Sequence, residues 1–352
     1  MSFRILKSSS YLTATELNLF SSRNNFELFR NHTVAITGAN GMIGSALATL
    51  IYAGAESNGF SCKKLILISR SWENSALKFL INNPNVEVFE NMELPKSIAP
   101  EIIFHLASPS NSTGYSNYEE LSVANIQIVS SLLSRNTNQV IYTSTGEVYG
   151  SGKTDEDTVL PAFRDNEFRS FYPIAKIMGE NFLLELSKKY AFEAKIVRLF
   201  HTFGPGVKYN DGRSFADILW KGFLNKKIIL KSDGSQVRSF LYITDAVDAL
   251  LKIMNENSIE GKRINVGSEI KTSILDFARV ASDLMSVPIE FENRTNSNFI
   301  HSPNQILVPS IKRLKLLGWE QSVSLSKGIQ STLGWIKDQD QDQDQDQDQD
   351  QA

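Results

Sequence analysis

Thr33-Val34-Ala35-Ile36-Thr37-Gly38-Ala39-Asn40-Gly41-Met42-Ile43-Gly44 decides the fold. Thr33 to Thr37 read as a short buried strand, three glycines follow at three-residue spacing, and an apolar-rich stretch to about Tyr52 reads as a helix. The first glycine permits a tight turn, the second lets backbone approach a pyrophosphate, and the third allows close helix–strand packing. The helix N-terminus then presents N–H groups and partial positive charge to phosphates. Flanked by strand and helix, the turn predicts a dinucleotide site formed by Gly38, Asn40, Gly41, Met42, Ile43 and Gly44.

The same rhythm continues outward. Apolar runs at Leu65–Ile68, Val86–Phe89, Glu101–Leu106, Gln139–Thr143 and Ala194–Leu199 alternate with helical stretches, among them about Tyr118–Leu133 and Pro173–Tyr190. Short continuous apolar runs between helices are expected of parallel strands buried on both faces. The fold class is therefore α/β, a Rossmann-type doubly wound parallel sheet with its ligand at the carboxyl ends of the strands. After Phe200 the strands become fewer, and loop signals at Gly204-Pro205-Gly206 and Asp211-Gly212 mark a smaller mixed α/β lobe. The expected division is a helical N-terminal extension over 1–30 and a dinucleotide-binding domain over 31–200, with a returning segment near 239–267. The substrate lobe takes 201–238 and 268–337, and an unordered tail takes 338–352.

Composition bounds the partners. The 352 residues hold one cysteine, Cys62, so a reducing compartment is expected and an internal disulfide is excluded. No apolar run has the length of a signal core or a membrane span, which places the protein in the cytoplasm. The 36 basic residues face 39 acidic ones, and seven of the acidic ones are the Asp of the C-terminal Asp/Gln run. Without that run the body carries +4, which suits an anionic small molecule and lacks the dense basic stripe of a nucleic-acid binder. The run itself reads as a solvated repeat expansion. No Cys/His spacing resembles a metal site, and no metal is assigned.

Tyr172-Pro173-Ile174-Ala175-Lys176 places a phenol and an ammonium four residues apart, on one face of a helix whose first turn tolerates Pro173. A nearby cation favours the phenolate, so Tyr172 can take a hydroxyl proton while hydride leaves the same carbon for a nicotinamide. A second Tyr-x-x-x-Lys, Tyr149 with Lys153, is interrupted by Gly150 and Gly152, which argue against a helix. Upstream, Thr143-Ser144-Thr145-Gly146-Glu147 follows an apolar strand and should emerge at the ligand edge, with Thr145 beside the reacting oxygen and Glu147 available for a second proton. At the end of the second strand, Ser69-Arg70 replaces the acidic residue that would bind an adenosine ribose. The cofactor is thus NAD or NADP, with a tilt to NADP from Arg70.

Together these residues resemble the extended short-chain dehydrogenase/reductases of the NAD-dependent epimerase/dehydratase family, from about Asn31 to Lys337. The resemblance adds His105-Leu106-Ala107-Ser108, Val148-Tyr149-Gly150, Arg198-Leu199-Phe200-His201-Thr202-Phe203-Gly204-Pro205, Arg238-Ser239-Phe240, Asn265-Val266-Gly267 and Leu317-Gly318-Trp319. It implies a nucleotide-diphosphate sugar as substrate, transient oxidation at C4, and a homodimer built through a helical bundle. It also implies that Leu106, Ala107, Ser108, Ser69 and Arg70 border the cofactor with Tyr172 and Lys176. The substrate would meet Ser108, Tyr115, Thr145, Arg169, His201, Arg213 and Arg238.

Within the family the pattern is most similar to UDP-glucuronate decarboxylases. Gly146 stands where dTDP-glucose dehydratases carry an Asp, although Thr-x-Glu also serves GDP-mannose dehydratases. His201 replaces the usual Asn at the substrate phosphate. The expected function is therefore decarboxylation or 4,6-dehydration, with 4-epimerisation or NADP-dependent ketosugar reduction as alternatives. A dinucleotide sensor without turnover is the non-enzymatic one.

Overall fold

The computed structural model describes residues 12–13, 16–17, 23–59, 62–72, 75–90, 98–109, 117–161, 171–257, 259, 263–292 and 305–349. Its centre is a seven-stranded sheet. Strand β1 is Thr33–Thr37, β2 Lys64–Ser69, β3 Val86–Glu90, β4 Ile102–His105, β5 Gln139–Thr145, β6 Glu193–Leu199 and β7 Arg263–Val266. The order across the sheet is β7-β6-β5-β4-β1-β2-β3, and every neighbouring pair runs parallel. The order reverses between β1 and β4, which is where such sheets open a ligand crevice.

Because side chains alternate along a strand, each apolar run feeds two cores at once. Val34, Ile36, Leu65, Leu67, Ile102 and Phe104 pack on one face against α1 (Met42–Ser57). Ala35, Ile66, Ile68, Ile103, Val140 and Ile196 pack on the other. That second face is covered by a π-helical turn Val123–Gln127, α3 (Ile128–Leu132) and α4 (Phe171–Tyr190), while α2 (Tyr118–Ser122) packs on α4 through Leu121. The expected strand and helix positions agree with these bounds to within a few residues.

Downstream of β6 the chain leaves the sheet and returns through α5 (Ile243–Asn255) to place β7 on its edge. Short pairings, such as Val237–Arg238 between Thr272–Ser273 and Ile306–Leu307, build the smaller lobe. Its centre holds Phe203, Phe215, Phe240 and Phe277, with the last two rings 4.5 Å apart. The described part of the N-terminal extension lies on the main domain. Phe26 fills the notch left by Gly54, where a Cβ would come within 2.3 Å of its ring, and Glu16 accepts from the Tyr242 hydroxyl at 2.7 Å.

The last described helix, α6 (Leu325–Gln349), departs from expectation. The Asp/Gln run, read as unordered, carries this helix on to Gln349. Ile329 and Ile336 anchor its start in the core, and extending an existing helix is far easier than nucleating one.

A buried ion pair fastens α4 to β6. The Arg198 guanidinium donates to both Glu180 oxygens, at 2.9 and 2.7 Å, and Arg263 of β7 adds a third bond at 3.0 Å. Burial alone would raise the Glu180 carboxyl, but these bonds hold it below its ordinary value. A depressed carboxylate contributes stability above its unfolded pKa, and that contribution is lost as pH falls below it. Glu180→Ala leaves Arg198 buried without its counter-charge. It should cost about 3–5 kcal/mol, read from urea unfolding at pH 7 and shrinking in the acid range.

Candidate active site

The glycine turn is shaped by close approaches. Gly38 has φ +68°, and a Cβ there would lie 3.0 Å from the Ala107 backbone. At Gly44 a Cβ would sit 2.2 Å from the Gly38 carbonyl oxygen, so the first turn of α1 closes only on a glycine. Gly41 caps α1 without a side-chain hydrogen bond, which leaves the first-turn N–H groups facing outward beside Met42 and Ile43. Two buried polar atoms near this turn, Asn40 Oδ1 and Ser108 Oγ, have no hydrogen-bond partner. A cradle that a Cβ would fill, an uncapped helix start and a buried Ser108 hydroxyl able to donate fit a dinucleotide pyrophosphate.

At the end of β2 the Asn40 amide donates to the Ser71 carbonyl at 3.0 Å. Arg70, just beyond Ser69, is largely exposed and ion-paired with Glu120 of α2. The guanidinium that tilts the sequence reading to NADP is thus engaged by a carboxylate.

A cleft runs from the first turn of α1 to the smaller lobe. It gathers Ile43, Leu106, Ser108, Thr145, Glu147, Tyr172, Lys176, His201 and Arg213 from the expected set. The cleft also takes Phe200 and Leu307, which no sequence signal singled out as site residues. Arg238 is not among the lining residues, although its register partner Leu307 is; its guanidinium donates to the Val237 carbonyl and the Gln236 side chain, both at 2.9 Å. Tyr115 and Arg169 lie outside the described residues.

Each side chain in the cleft has a local cause. Thr145 ends β5 in extended conformation, and its hydroxyl accepts from Glu147 N at 3.3 Å, turning Glu147 into the cleft. Tyr172 and Lys176 start α4 one turn apart, and both are buried. Lys176 Nζ donates to the Thr143 carbonyl at 2.7 Å. Burial lowers this ammonium to about 7, against the opposing pull of Glu180 one turn further along. The competing Tyr149 is spent in the core, where its hydroxyl donates to Asn265 at 2.8 Å and accepts from Arg198 at 2.9 Å. Gly150 follows it at φ +55°, so no helix joins Tyr149 to Lys153.

His105 is structural. Its Nδ1 meets the Thr37 hydroxyl at 2.9 Å, and burial, then the nearby Lys176 charge, pull it down to about 3, so the ring is neutral. Arg213 borders the cleft while paired with Asp211 through two bonds. Gly146 faces Phe200 so closely that a Cβ would fall 2.6 Å from its ring.

Residues 34–267 match the model of the NAD dependent epimerase/dehydratase family. The chain belongs to that family. Among curated relatives it is 26% identical to UDP-glucuronic acid decarboxylase 3 of Arabidopsis thaliana, over 85% of this chain and 87% of that one. It is 28% identical to UDP-glucuronic acid decarboxylase 1 of Danio rerio, over 85% and 71%. Among solved structures, a UDP-glucose 4-epimerase from Thermotoga maritima superposes with a TM-score of 0.73 at 22% identity, covering 87% of this chain and 99% of that one. The UDP-glucuronic acid 4-epimerase of Bacillus cereus, solved with UDP-glucuronic acid and NAD, gives 0.71 at 22% identity with the same coverages. At these identities the structural likeness establishes the shared fold. Among the described residues no helix is long and apolar enough to cross a membrane.

Gly44→Ala tests the cradle. The added methyl forces the Gly38 carbonyl and α1 apart, and NAD affinity measured by calorimetry should fall at least about tenfold, or ~1.4 kcal/mol, with the fold retained.

Proposed function

We propose that this family member binds NAD and a nucleoside-diphosphate sugar and works by transient oxidation of the sugar at C4. What carries the reading is the meeting of Tyr172, Lys176, Thr145 and Glu147 around one cleft that begins at the first turn of α1. In its phenolate form Tyr172 takes the C4 hydroxyl proton, and the adjacent Lys176 charge favours that form. Thr145 hydrogen-bonds the C4 oxygen and holds it toward Tyr172. A bound NAD+ supplies the acceptor for the hydride leaving C4 and the donor for its return. Glu147 handles the later proton transfer. Arg213 and His201 serve the nucleotide and diphosphate end, where the planar donors of arginine suit phosphate oxygens.

Decarboxylation is the outcome we favour. The curated relatives reported above are named UDP-glucuronic acid decarboxylases. With a ketone at C4, a C6 carboxylate leaves as carbon dioxide, its bonding pair passes into the C4–C5 enolate, and C5 is then protonated. NAD is the favoured dinucleotide because Glu120 already occupies Arg70. A homodimer is supported by Tyr118, Val123 and Met178, left exposed on the helical layer formed by α2, the π-helical turn and α4.

Two measurements test this reading. Product masses from a panel of sugar nucleotides should show loss of carbon dioxide from UDP-glucuronic acid. Loss of water or an unchanged mass would replace decarboxylation by dehydration or epimerisation. In the same assay Tyr172→Phe should lower kcat at least about 10²-fold while NAD still binds, and undiminished turnover would remove Tyr172 from its role. For the cofactor, NAD should bind more tightly than NADP. Glu120→Gln should release Arg70 and narrow that gap roughly threefold to fivefold. A wild-type preference for NADP would reverse the assignment.

A further inference from the structure

Directly behind the cleft, β5 buries Tyr142 under α4. Lys176 Nζ lies 5.2 Å from the centroid of the Tyr142 ring, and the His105 imidazole is stacked against that ring at 5.4 Å and 21°. The Tyr142 hydroxyl donates to Asn125 Oδ1 at 2.8 Å, and the Asn125 amide donates to the Leu121 carbonyl at 2.7 Å. Asn125 sits in the π-helical turn, and Leu121 packs against Tyr172 and Ala175. Gly179 makes the arrangement possible, since a Cβ there would be 2.1 Å from the Tyr142 hydroxyl oxygen.

The groups facing the ammonium can be weighed one by one. Tyr172 and Glu180 belong to its own helix, His105 comes from β4, and Tyr142 and the Thr143 carbonyl come from β5. His105 is neutral, and the Glu180 carboxylate is already bonded to Arg198 and Arg263. What remains close to Nζ is a single carbonyl and an electron-rich ring face, which attracts a cation.

We propose that Tyr142 is a positioning residue for Lys176. Its ring face holds the ammonium, and its hydroxyl, through Asn125, fixes the turn that packs on Tyr172. This rests on the reading of Tyr172 and Lys176 as the proton-transfer pair. A weaker cation raises the Tyr172 phenol, so losing the ring moves the acid limb of the kcat–pH profile upward.

The test uses the full chain with Tyr142→Phe, Tyr142→3,5-difluorophenylalanine and Tyr142→Leu. Lys176 is titrated through its 13Cε signal, assigned with Lys176→Arg, in the absence of any substrate. Phe keeps the ring face, whereas the difluoro ring has nearly the same shape and a weakened face. The difluoro variant should therefore titrate at lower pH than Phe, and Leu lower still, by roughly 0.4 to 1.5 pH units against wild type. Equal midpoints for the Phe and difluoro variants overturn the proposal, and this pair decides even where Leu fails to fold. With NAD and UDP-glucuronic acid as probe, the acid limb should rise in the same order, and an unmoved limb counts against the role. Absence of wild-type turnover with that sugar would bear on the reaction proposed above, while the titration still decides Tyr142.

Discussion

The Thr37 hydroxyl accepts from Leu106 N and Ala107 N, both at 3.1 Å, and meets His105 Nδ1 at 2.9 Å. A hydroxyl has one proton and two lone pairs, and the two backbone donors fill the pairs. Its proton must then go to Nδ1, which places the proton of the neutral imidazole on Nε2. This one side chain clamps the end of β1 to the segment after β4, with the glycine turn beside it. Gly38 lies against the Ala107 backbone that this hydroxyl holds, where a Cβ would come within 3.0 Å. The glycine turn is thus bordered by a threonine that ties β1 to the segment after β4.

The clamp reaches further through His105. Its ring lies on Tyr142, Tyr142 lies under Lys176, and Lys176 sits one helical turn from Tyr172. The glycine turn and the Tyr172–Lys176 pair, more than a hundred residues apart in the chain, are joined by one buried chain of contacts. Its charge is kept low by design of position. His105 is neutral, Glu180 is answered by two arginines, and the Lys176 ammonium is lowered by burial to about 7. A cation this close to losing its proton responds to small changes in what surrounds it, which is why packing residues can act on the chemistry.

How much of this could be read from the sequence depends on the range of the interaction. The β1–turn–α1 unit was legible because strand, glycines and helix are neighbours in the chain. The placing of Tyr172 and Lys176 one turn apart was legible from helical spacing, and so was the break at Gly150 that keeps Tyr149 and Lys153 off a common helix. Phe200 and Leu307 were not legible as cleft walls, since each comes from an element whose place is set only by tertiary packing. The same holds for Asn125 and Tyr142, whose bond requires a π-helical turn and a glycine on a third segment. The destination of Arg70 escaped for a related reason. Its partner Glu120 lies fifty residues away, and only folding brings the two together.

Phe200 also bears on which reaction the cleft suits. It packs with Val148, Tyr149 and Leu307 and covers Gly146, the position where an acid for C6 would stand. Hydroxide is a poor leaving group and needs a proton from a donor nearby; Gly146 offers none, so Glu147 is the carboxyl in this cleft that would have to supply it. A carboxylate departs as neutral, apolar carbon dioxide and needs no such donor, only the ketone at C4 to take its electrons. The substitution of Gly146 for an acid and the advance of Phe200 into its space therefore act in one direction. The ring of Phe200 fills the space a side chain at Gly146 would take, which leaves Glu147 as the carboxyl of this wall.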